Sequence, residues 1–402
     1  MFIAYVDHIE RLKFFLRFKE KEKKILFITC RLSIYLLGKL KKINISLVKP
    51  HAISHQDDEI ITKSRDYLAG FLSFKDAMTI ESSINNYINN FEGNISGFLL
   101  WNGSDVAERT INKFSVEKNI PTIFLEIANL PGKIFIDPLG TNAKSALFKI
   151  DDLSVLKNIR SISFSEYESY IEVYKKEKSG NYKPPQSKIM SKINYYFLLD
   201  YLGSIIHITP RVQSLCLRDK ISTVLSRLKG KGVCLGSVES LDKNYLFLPL
   251  QVSNDSQVLL NSSINNIDAI QWCVDYCSHN NLALLVKIHP AEKDSDTLNV
   301  YQHLSESNNF KLVTNNTNDL IVNATKVVTI NSTVGFESKL LGIDTIFLGD
   351  SFYDKFESKV IPYYINCYLF DCDYFGDEDI DFNSLLKHFD CIRNLVLNKG
   401  VA

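Results

Sequence analysis

The sequence lacks the features that would assign it at once to several large classes of protein. Its 402 residues carry 46 basic and 46 acidic side chains, so it has no excess of the positive charge that binds nucleic acid. No apolar run reaches the ~20 residues that a membrane-spanning helix needs, no signal peptide is visible, and no internal repeat is found. We therefore expect a cytoplasmic protein without a nucleic-acid partner.

Cysteine is present without the spacing of a disulfide framework or a zinc site. The eight cysteines lie at positions 30, 216, 234, 273, 277, 367, 372 and 391. Cys273 and Cys277 could share one face of a helix, but no matching set of histidines and cysteines surrounds them. We interpret the cysteines as reduced thiols of the core, where free cysteine is most often found.

One acidic pattern could hold a divalent ion. Asp371 and Asp373 form an Asp-x-Asp pair, a pattern with which some enzymes bind a nucleotide diphosphate through a metal. The pair lies in the acidic segment 371–381, close to the C-terminus, where no predicted Rossmann strand precedes it. A solvated acidic loop is the simpler interpretation, because charged runs are usually exposed.

The order of predicted elements indicates two α/β halves. With 45% hydrophobic side chains, the chain can bury two cores of ordinary domain size. Apolar runs at 25–30, 97–101 and 122–126 alternate with helical patterns such as 105–117, which is typical of a parallel sheet with helical crossovers. A second series of strands and helices starts at 245–250.

Domain boundaries follow from the segments between these two halves. Residues 175–190 are rich in lysine and contain glycine and proline, which favours a linker. Helical patterns at 190–230 close the first half. We predict a first domain over residues 1–235, a second domain over residues 236–350, and helices over residues 351–402 that return across both domains.

The N-terminus combines apolar side chains at helical spacing with a lysine-rich tail. Ile9, Leu12, Phe15 and Leu16 would share one face of a helix that begins near Phe2. A basic amphipathic helix can lie on an anionic surface, so peripheral contact with the inner membrane is one expectation. The alternative is a helix packed on the first domain with its charged end in solvent.

Two polar motifs follow buried runs in the second half. Residues 287–290 follow the run 282–286, and residues 331–337 follow the run 326–330. Both motifs therefore lie where a parallel strand leaves its sheet. Open α/β sheets bind ligands there, outside the carboxyl ends of the strands.

The chemistry of the later motif favours an anion. Ser332 and Thr333 offer hydroxyl donors, and Gly335 would let the backbone approach a ligand closely. The start of the following helix favours phosphate through its free N–H groups and its dipole. Glu337 could accept hydrogen bonds from ribose hydroxyls. The alternative is an ordinary Ser/Thr helix cap with a glutamate one turn later.

The earlier motif places a histidine at the same edge. Pro290 cannot donate to the sheet and ends the strand. His289 would then be held at the crevice, where it could donate to a phosphate or take part in proton or group transfer. A structural histidine after a strand is the alternative.

Four motifs in this order resemble those of the capsule polysaccharide synthesis family, which contains the retaining β-Kdo glycosyltransferases that use CMP-Kdo. The motifs are residues 248–257, 287–290, 331–337 and 348–353. A weaker similarity extends upstream, to residues 124–126, 130–132 and 137–142, which look like the family's acidic motif and the Gly-Asn that follows it. The resemblance covers roughly residues 95 to 355.

The resemblance implies a fold and a donor. The fold class would be α/β and GT-B-like, with two Rossmann-like domains facing a central cleft. The donor, a CMP-sugar, would bind the C-terminal domain, and the acceptor, an oligosaccharide or glycolipid, would bind the N-terminal domain. Because CMP carries a single phosphate, which hydroxyls and a helix end can neutralise, we expect no metal and no other cofactor.

The resemblance also implies catalytic roles. Retention of configuration commonly uses a carboxylate nucleophile and a second group as acid or base. Asp255, a few residues after the strand at 245–250, would be the nucleophile, and Glu126, at a strand end in the first half, the base. His289 would stabilise the departing CMP or contact the sugar. The alternatives are a helix cap at Asp255 and an exposed strand end at Glu126.

Further contacts to the substrates are expected around these groups. The predicted substrate-binding residues are Lys287, Pro290, Asn331, Ser332, Thr333, Gly335, Glu337, Gln251, Ser256, Arg211 and Asn142. Kdo carries its own carboxylate, for which Arg211 and Lys287 are the candidate cations. A surface arginine is the commoner explanation for Arg211.

Three functions remain open from the sequence. The first is a β-Kdo transferase acting on an O-antigen or a capsule glycan. The second is a related GT-B transferase that uses another cytidine-activated donor, such as CMP-sialic acid or CDP-glycerol. The third is a non-catalytic subunit of polysaccharide assembly.

Overall fold

The computed structural model describes most of the chain. The described residues are 1–19, 24–53, 57–128, 130–179, 196–212, 236–237, 244–253, 255–292 and 294–400. Most of the helical pattern predicted at 190–230 and residues 180–190 of the linker-like segment therefore lie outside the described residues. Residues 175–179 of that segment end a helix, so the linker prediction is wrong there. Within the described residues, no helix is both long enough and apolar enough to span a membrane.

The elements alternate between strand and helix over both halves of the chain. The strands are β1 (Phe2–Tyr5), β2 (Ile25–Thr29), β3 (Ile45–Leu47), β4 (Gly97–Trp101), β5 (Thr122–Ile127), β6 (Lys133–Asp137), β7 (Tyr245–Pro249), β8 (Ala283–Lys287), β9 (Lys311–Leu312), β10 (Lys326–Thr329), β11 (Thr345–Phe347) and β12 (Phe370–Asp371). The helices are α1 (Ile9–Leu16), α2 (Leu32–Leu40), α3 (Asp58–Thr62), α4 (Arg65–Leu68), α5 (Phe74–Asn89), α6 (Val106–Glu117), α7 (Ala146–Lys149), α8 (Phe164–Ser179), α9 (Tyr196–Ile205), α10 (Ser256–Asn261), α11 (Asn266–Asn280), α12 (Ser295–Asn308), α13 (Thr317–Val322), α14 (Thr333–Leu340), α15 (Ile361–Tyr363) and α16 (Phe382–Leu397). Short 3-10 turns span Asn142–Lys144, Leu153–Asn158 and Phe352–Lys355, and a π turn spans Tyr364–Tyr368.

The chain forms two compact units. The first contains Met1–Ser214 together with Pro362–Ala402, and the second contains Leu215–Ile361. These boundaries lie at 214 and 361, whereas the sequence placed them at 235 and 350. The C-terminal segment joins the first unit because β12 extends the first sheet and because α16 packs on that unit.

The first unit is built on a seven-stranded sheet. Its strand order is β12-β6-β5-β4-β1-β2-β3. The strands from β5 to β3 in this order are parallel, whereas β6 and β12 are antiparallel additions at one edge. Every residue of β2 and β4 is buried, because helices cover both faces of the sheet.

The N-terminus differs from the sequence prediction. Residues 2–5 are the central strand β1, which pairs with both β2 and β4, so the single helix predicted from Phe2 onwards is wrong. A strand buried on both faces is a continuous apolar run, and its apolar positions can coincide with helical spacing. The helix α1 follows, and its residues Ile9, Leu12, Phe14 and Phe15 are buried in the core. This apolar face therefore cannot lie on a membrane.

The second unit is built on a five-stranded parallel sheet. Its strand order is β11-β10-β7-β8-β9. The apolar runs predicted as strands at 245–250, 282–286, 326–330 and 345–349 match β7, β8, β10 and β11 to within two residues. With a predominantly parallel sheet and covering helices in each unit, the predicted class of two Rossmann-like α/β domains is confirmed.

The C-terminal segment is not wholly helical. Phe370–Asp371 forms β12, which pairs antiparallel with β6 at the sheet edge. The exposed Asp371 carboxylate lies 2.5 Å from the Lys133 ammonium, and the acidic residues beyond it form a loop that leads to α16. Asp371 thus ends a short edge strand and Asp373 lies in the loop after it. Both side chains are exposed, in keeping with the simpler sequence interpretation.

Asp137, the last residue of β6, is a fully buried carboxylate that organises the turn after its strand. Its Oδ1 accepts hydrogen bonds from the N–H groups of Leu139 (2.7 Å) and Gly140 (3.1 Å). Its Oδ2 accepts from the N–H of Ala146 (2.9 Å) and from the hydroxyl of Tyr368 (2.6 Å). The C-terminal segment is thereby attached to the first sheet.

This carboxylate should make the stability of the first unit depend on pH. Burial raises the pKa of Asp137 to about 6, although its hydrogen bonds oppose the change. The pKa of an aspartate in the unfolded chain is about 3.9. Protonation of Asp137 therefore stabilises the folded state fully below about pH 4, and this stabilisation is lost as pH rises through about 6. Asp137→Asn cannot titrate. In urea denaturation, the stability advantage of the wild type over this variant should fall by about 3 kcal/mol between pH 4 and pH 7. A difference that does not change with pH would contradict the raised pKa.

Candidate functional site

The strand order of the second sheet defines where a ligand would bind. From β7 the chain proceeds outward through β8 and β9, then returns to the other side of β7 as β10 and continues to β11. The switch point lies between β7 and β10, and open α/β sheets bind ligands at the carboxyl ends of the strands at such a point. The loops after β7 and β10 begin at Leu250 and Ile330. They carry the predicted site residues.

A pair of buried amides joins these two loops. The Nε2 of Gln251 donates a hydrogen bond to the Oδ1 of Asn331 (3.0 Å), and the backbone N–H of Asn331 donates to the Oε1 of Gln251 (3.2 Å). Asn331 Nδ2 also donates to the carbonyl oxygens of Gln257 (2.8 Å) and Asn261 (3.1 Å) in α10. Gln251 and Asn331 were predicted to bind substrate. That role stays a prediction; in the structure their side-chain amides bind each other and α10.

A second contact joins the loops after β7 and β8. The backbone N–H and the hydroxyl of Ser253 both donate to Glu292 Oε2, at 2.9 Å and 2.7 Å. The N–H of Glu292 donates to the carbonyl oxygen of His289 (2.9 Å). The loops after β10, β7 and β8, which are neighbouring strands in the sheet, are therefore linked by hydrogen bonds.

Asp255 is the N-cap of α10 and is half-buried. Its Oδ1 accepts a hydrogen bond from the N–H of Gln257 at 2.8 Å. Among the described residues, no group donates a hydrogen bond to Oδ2. Asp255 is therefore a helix cap, as the alternative expected, but only its Oδ1 caps the helix.

His289 follows β8 and is exposed. Its Nδ1 accepts a hydrogen bond from the N–H of Ala291 at 3.1 Å. Desolvation lowers the pKa of His289 below its usual value, and the Asp255 and Glu292 carboxylates oppose this effect. A neutral imidazole that accepts at Nδ1 carries its proton on Nε2, so His289 has an N–H donor to offer a ligand.

The predicted hydroxyl motif begins α14. Ser332 is the N-cap, and its Oγ accepts a hydrogen bond from the N–H of Val334 at 3.2 Å. The hydroxyl hydrogen of Ser332 remains free to rotate toward a ligand. Thr333 is the first residue of the helix, and Glu337 lies one turn further on; both are half-buried.

Gly335 has a packing role that the sequence did not indicate. A Cβ atom at this position would lie 2.5 Å from the ring of Phe347 and 2.8 Å from Cγ2 of Thr329. The glycine therefore allows α14 to approach β10 and β11 closely. The close approach of this backbone to a ligand stays a prediction.

Gly335→Ala should destabilise the second unit, because the methyl group would overpack this contact. Such substitutions cost about 1–3 kcal/mol. Gly236→Ala is the control, since nothing lies within 4 Å of a Cβ at that position. Urea denaturation measures both. Equal stability of Gly335→Ala and the control would contradict the packing role.

Three further residues of this unit were predicted to bind substrate: Lys287, Pro290 and Ser256. Lys287 Nζ donates to the carbonyl oxygen of Asn315 (2.6 Å) and to the hydroxyl of Thr317 (2.9 Å), so its ammonium is bound to the segment that leads from β9 into α13. Burial lowers the pKa of Lys287. Pro290 is exposed directly after His289, and Ser256 is the first residue of α10.

In the first unit the structure brings two predicted residues together. Asn142 Nδ2 donates a hydrogen bond to Glu126 Oε2 at 2.8 Å. Glu126 is half-buried near the end of β5. Asn142 adopts a left-handed backbone conformation, with φ of 54°, which directs the chain back toward that strand. Arg211 is exposed, as the surface-arginine alternative expects.

The first sheet has its own switch point, between β1 and β4. From β1 the chain proceeds outward through β2 and β3, then returns to the other side of β1 as β4. Asp7, in the loop after β1, pairs with Arg11 at 2.6 Å. The Arg11 guanidinium lies over the ring of Trp101, the last residue of β4. Sequence reasoning missed this group, because residues 2–16 were interpreted as one helix.

Buried carboxylates surround this pair. Glu108 is fully buried and accepts hydrogen bonds from the N–H groups of Trp101 (2.5 Å) and Gly103 (2.8 Å), and burial raises its pKa to about 7. Asp105 caps α6, and burial raises its pKa well above the usual value. Arg11, among other cations, holds the pKa of Asp7 below its usual value against the effect of burial. A polar run after the apolar residues 2–6 was the signal that could have revealed the site.

The described part of the chain contains no cluster of three or more His, Cys, Asp or Glu side chains arranged to hold a metal ion. The six cysteines in that part are free thiols. Four of them are buried: Cys30, Cys273, Cys277 and Cys367.

Comparison with known proteins finds a family match within the second half of the chain. Residues 236–356 match the model of the capsule polysaccharide biosynthesis protein family, so the resemblance stated from the sequence is confirmed. Protein FixF of Sinorhizobium fredii (strain NBRC 101917 / NGR234) is 39% identical over 126 residues. That alignment covers 28% of this chain and 28% of FixF, so the chain spans little more than a quarter of that relative's length.

Solved structures similar to this chain include two of KpsC from Thermosulfurimonas dismutans. The β-Kdo 2,7 transferase is 13% identical, with 96% of this chain and 97% of that chain covered and a TM-score of 0.44. The β-Kdo 2,4 transferase is 15% identical, with 75% and 87% covered and a TM-score of 0.43. The UDP-GlcNAc 2-epimerase of Methanocaldococcus jannaschii is 13% identical, with 99% of each chain covered and a TM-score of 0.29. At these identities and scores the similarities identify no substrate.

Proposed function

We propose that this protein is a retaining β-Kdo glycosyltransferase that transfers Kdo from CMP-β-Kdo to a growing bacterial surface glycan. The observation that carries the proposal is the group at the switch point of the second sheet. There the linked loops hold a carboxylate oxygen of Asp255, the Nε2–H of His289 and the hydroxyl of Ser332 at one edge. The family match over residues 236–356 supports it.

The first half of the reaction uses the second unit. The phosphate of CMP would lie at the start of α14, where Ser332 and Thr333 offer hydroxyls and the helix end favours an anion. Asp255 Oδ2 attacks the anomeric carbon as the bond from that carbon to the phosphate oxygen breaks. CMP leaves with the electron pair, and the Nε2–H of His289 stabilises its charge by donating a hydrogen bond. The product is a sugar ester of Asp255.

The second half of the reaction needs the acceptor and a base. Glu126 removes the proton of an acceptor hydroxyl, whose oxygen attacks the anomeric carbon while the Asp255 carboxylate leaves. Asn142, by donating to Glu126 Oε2, orients the base. In the first sheet β5 is adjacent to β4, so Glu126 lies one strand from the switch point that carries Asp7 and Arg11. We place the acceptor there.

Asp255→Asn should abolish transfer while leaving the fold intact. Asparagine caps helices about as well as aspartate, so α10 keeps its N-cap, but an amide is not a nucleophile. We expect a loss on the order of 10³-fold or more in the rate of Kdo transfer from CMP-Kdo. Asp294→Asn, the same change at the N-cap of α12 in the same unit, is the matched control and should retain full activity. Full activity of the Asp255→Asn variant would exclude Asp255 as the nucleophile.

Glu126→Gln should stop the reaction after its first half. Glutamine can still accept the hydrogen bond from Asn142, so the local structure is kept, but it cannot take the acceptor proton. With CMP-Kdo, intact-protein mass spectrometry should detect a Kdo adduct that peptide mapping assigns to Asp255. The adduct should be absent from Asp255→Asn. Failure to detect any adduct, together with no release of CMP, would favour a non-catalytic assembly subunit.

A further inference from the structure

An exposed apolar stripe runs along α9 in the first unit. The exposed large apolar residues of this helix and the turn after it are Tyr196, Leu198, Leu199, Leu202, Ile205, Ile206 and Ile208. Leu202 and Ile206 are 52% and 58% exposed. Spacings of three and four residues place most of these side chains on one face of the helix. An apolar stripe that faces solvent marks a surface that binds a protein or a membrane.

The face of α9 opposite the apolar stripe packs on the protein, which is why the stripe points outward. Asp200 accepts a hydrogen bond from the N–H of Ser33 at 2.8 Å and pairs with Arg31 at 3.3 Å. A Cβ atom at Gly203 would lie 3.1 Å from Cβ of Leu32, so the two helices α2 and α9 pack in close contact. The polar and small residues of α9 therefore face the protein, and its large apolar residues face away.

The helix α2 adds apolar and basic side chains. Leu36 and Leu40, one turn apart, are 40% and 80% exposed. Lys39, Lys41 and Lys42 are exposed at the end of the same helix. Residues 32–42 contain no acidic side chain at all.

The two segments together carry positive charge and no exposed negative charge. Residues 196–212 contain a single acidic residue, Asp200, which is buried and paired with Arg31. Arg211 in the same segment is exposed. The chain as a whole is neutral, with 46 basic and 46 acidic residues, so this surface departs from the average in both charge and polarity.

We propose that the exposed side of α2 and α9 docks the protein on an anionic phospholipid bilayer. Leucine and isoleucine side chains would enter the boundary between headgroups and acyl chains, as those of interfacial helices do, while the lysines bind anionic headgroups. A second copy of the chain is the less favourable occupant, because a two-fold interface would bring the lysines of both copies together. The proposal does not depend on the transferase function.

Cosedimentation of the full chain with vesicles tests this surface. We expect the wild type to bind vesicles of phosphatidylcholine with phosphatidylglycerol and to bind vesicles of pure phosphatidylcholine weakly. The double variant Leu202→Glu and Ile206→Glu should lose binding by about tenfold or more, because two apolar contacts become charged. The double variant Val116→Glu and Val173→Glu is the matched control: it places the same two charges at apolar residues that are 72% and 53% exposed on α6 and α8, and it should bind as the wild type does.

A lysine variant separates the two contributions. Changing Lys39, Lys41 and Lys42 to alanine should reduce the preference for phosphatidylglycerol vesicles by on the order of tenfold to a hundredfold. Binding of the glutamate double variant at the wild-type level would overturn the proposal, as would no binding of the wild type to either vesicle. A wild-type dimer that the double variant converts to a monomer would identify a second copy as the occupant instead. Circular dichroism of each variant checks that it is folded.

Discussion

The pair of buried amides formed by Gln251 and Asn331 is the interaction on which the site of the second unit depends. Both side chains are less than a tenth exposed, and each satisfies polar groups of the other. Removing one amide would leave buried donors or acceptors without partners, which costs about 1–3 kcal/mol. Since Asn331 also binds the carbonyl oxygens of α10, the pair sets the position of Asp255 relative to the start of α14.

The two units apply one topological rule with different chemistry. At each switch point, strands diverge to both sides and leave a crevice that the following loops surround. In the second unit the polar groups of the loops bind one another, and none of the described residues binds Asp255 Oδ2 or His289 Nε2. In the first unit an ion pair between Asp7 and Arg11 lies among buried carboxylates.

Many of the strands and several site residues could be predicted from the sequence. The others could not, for physical reasons. The strands of the second unit were predicted because fully buried parallel strands are uninterrupted apolar runs. The same property hid β1, whose apolar residues also satisfy helical spacing. Short motifs predicted that His289 and Ser332 follow strands at the carboxyl edge of the sheet. They could not show that the Gln251 and Asn331 amides bind each other or that Gly335 faces Phe347, because those contacts depend on the tertiary structure.

A crystal structure of the protein soaked with CMP tests the central claim most directly. The account predicts that the phosphate lies between the start of α14 and His289, within hydrogen-bond distance of the Ser332 hydroxyl and of His289 Nε2, with Asp255 facing the position of the missing sugar. CMP bound elsewhere in the chain, or no CMP at a concentration that saturates related transferases, would contradict it.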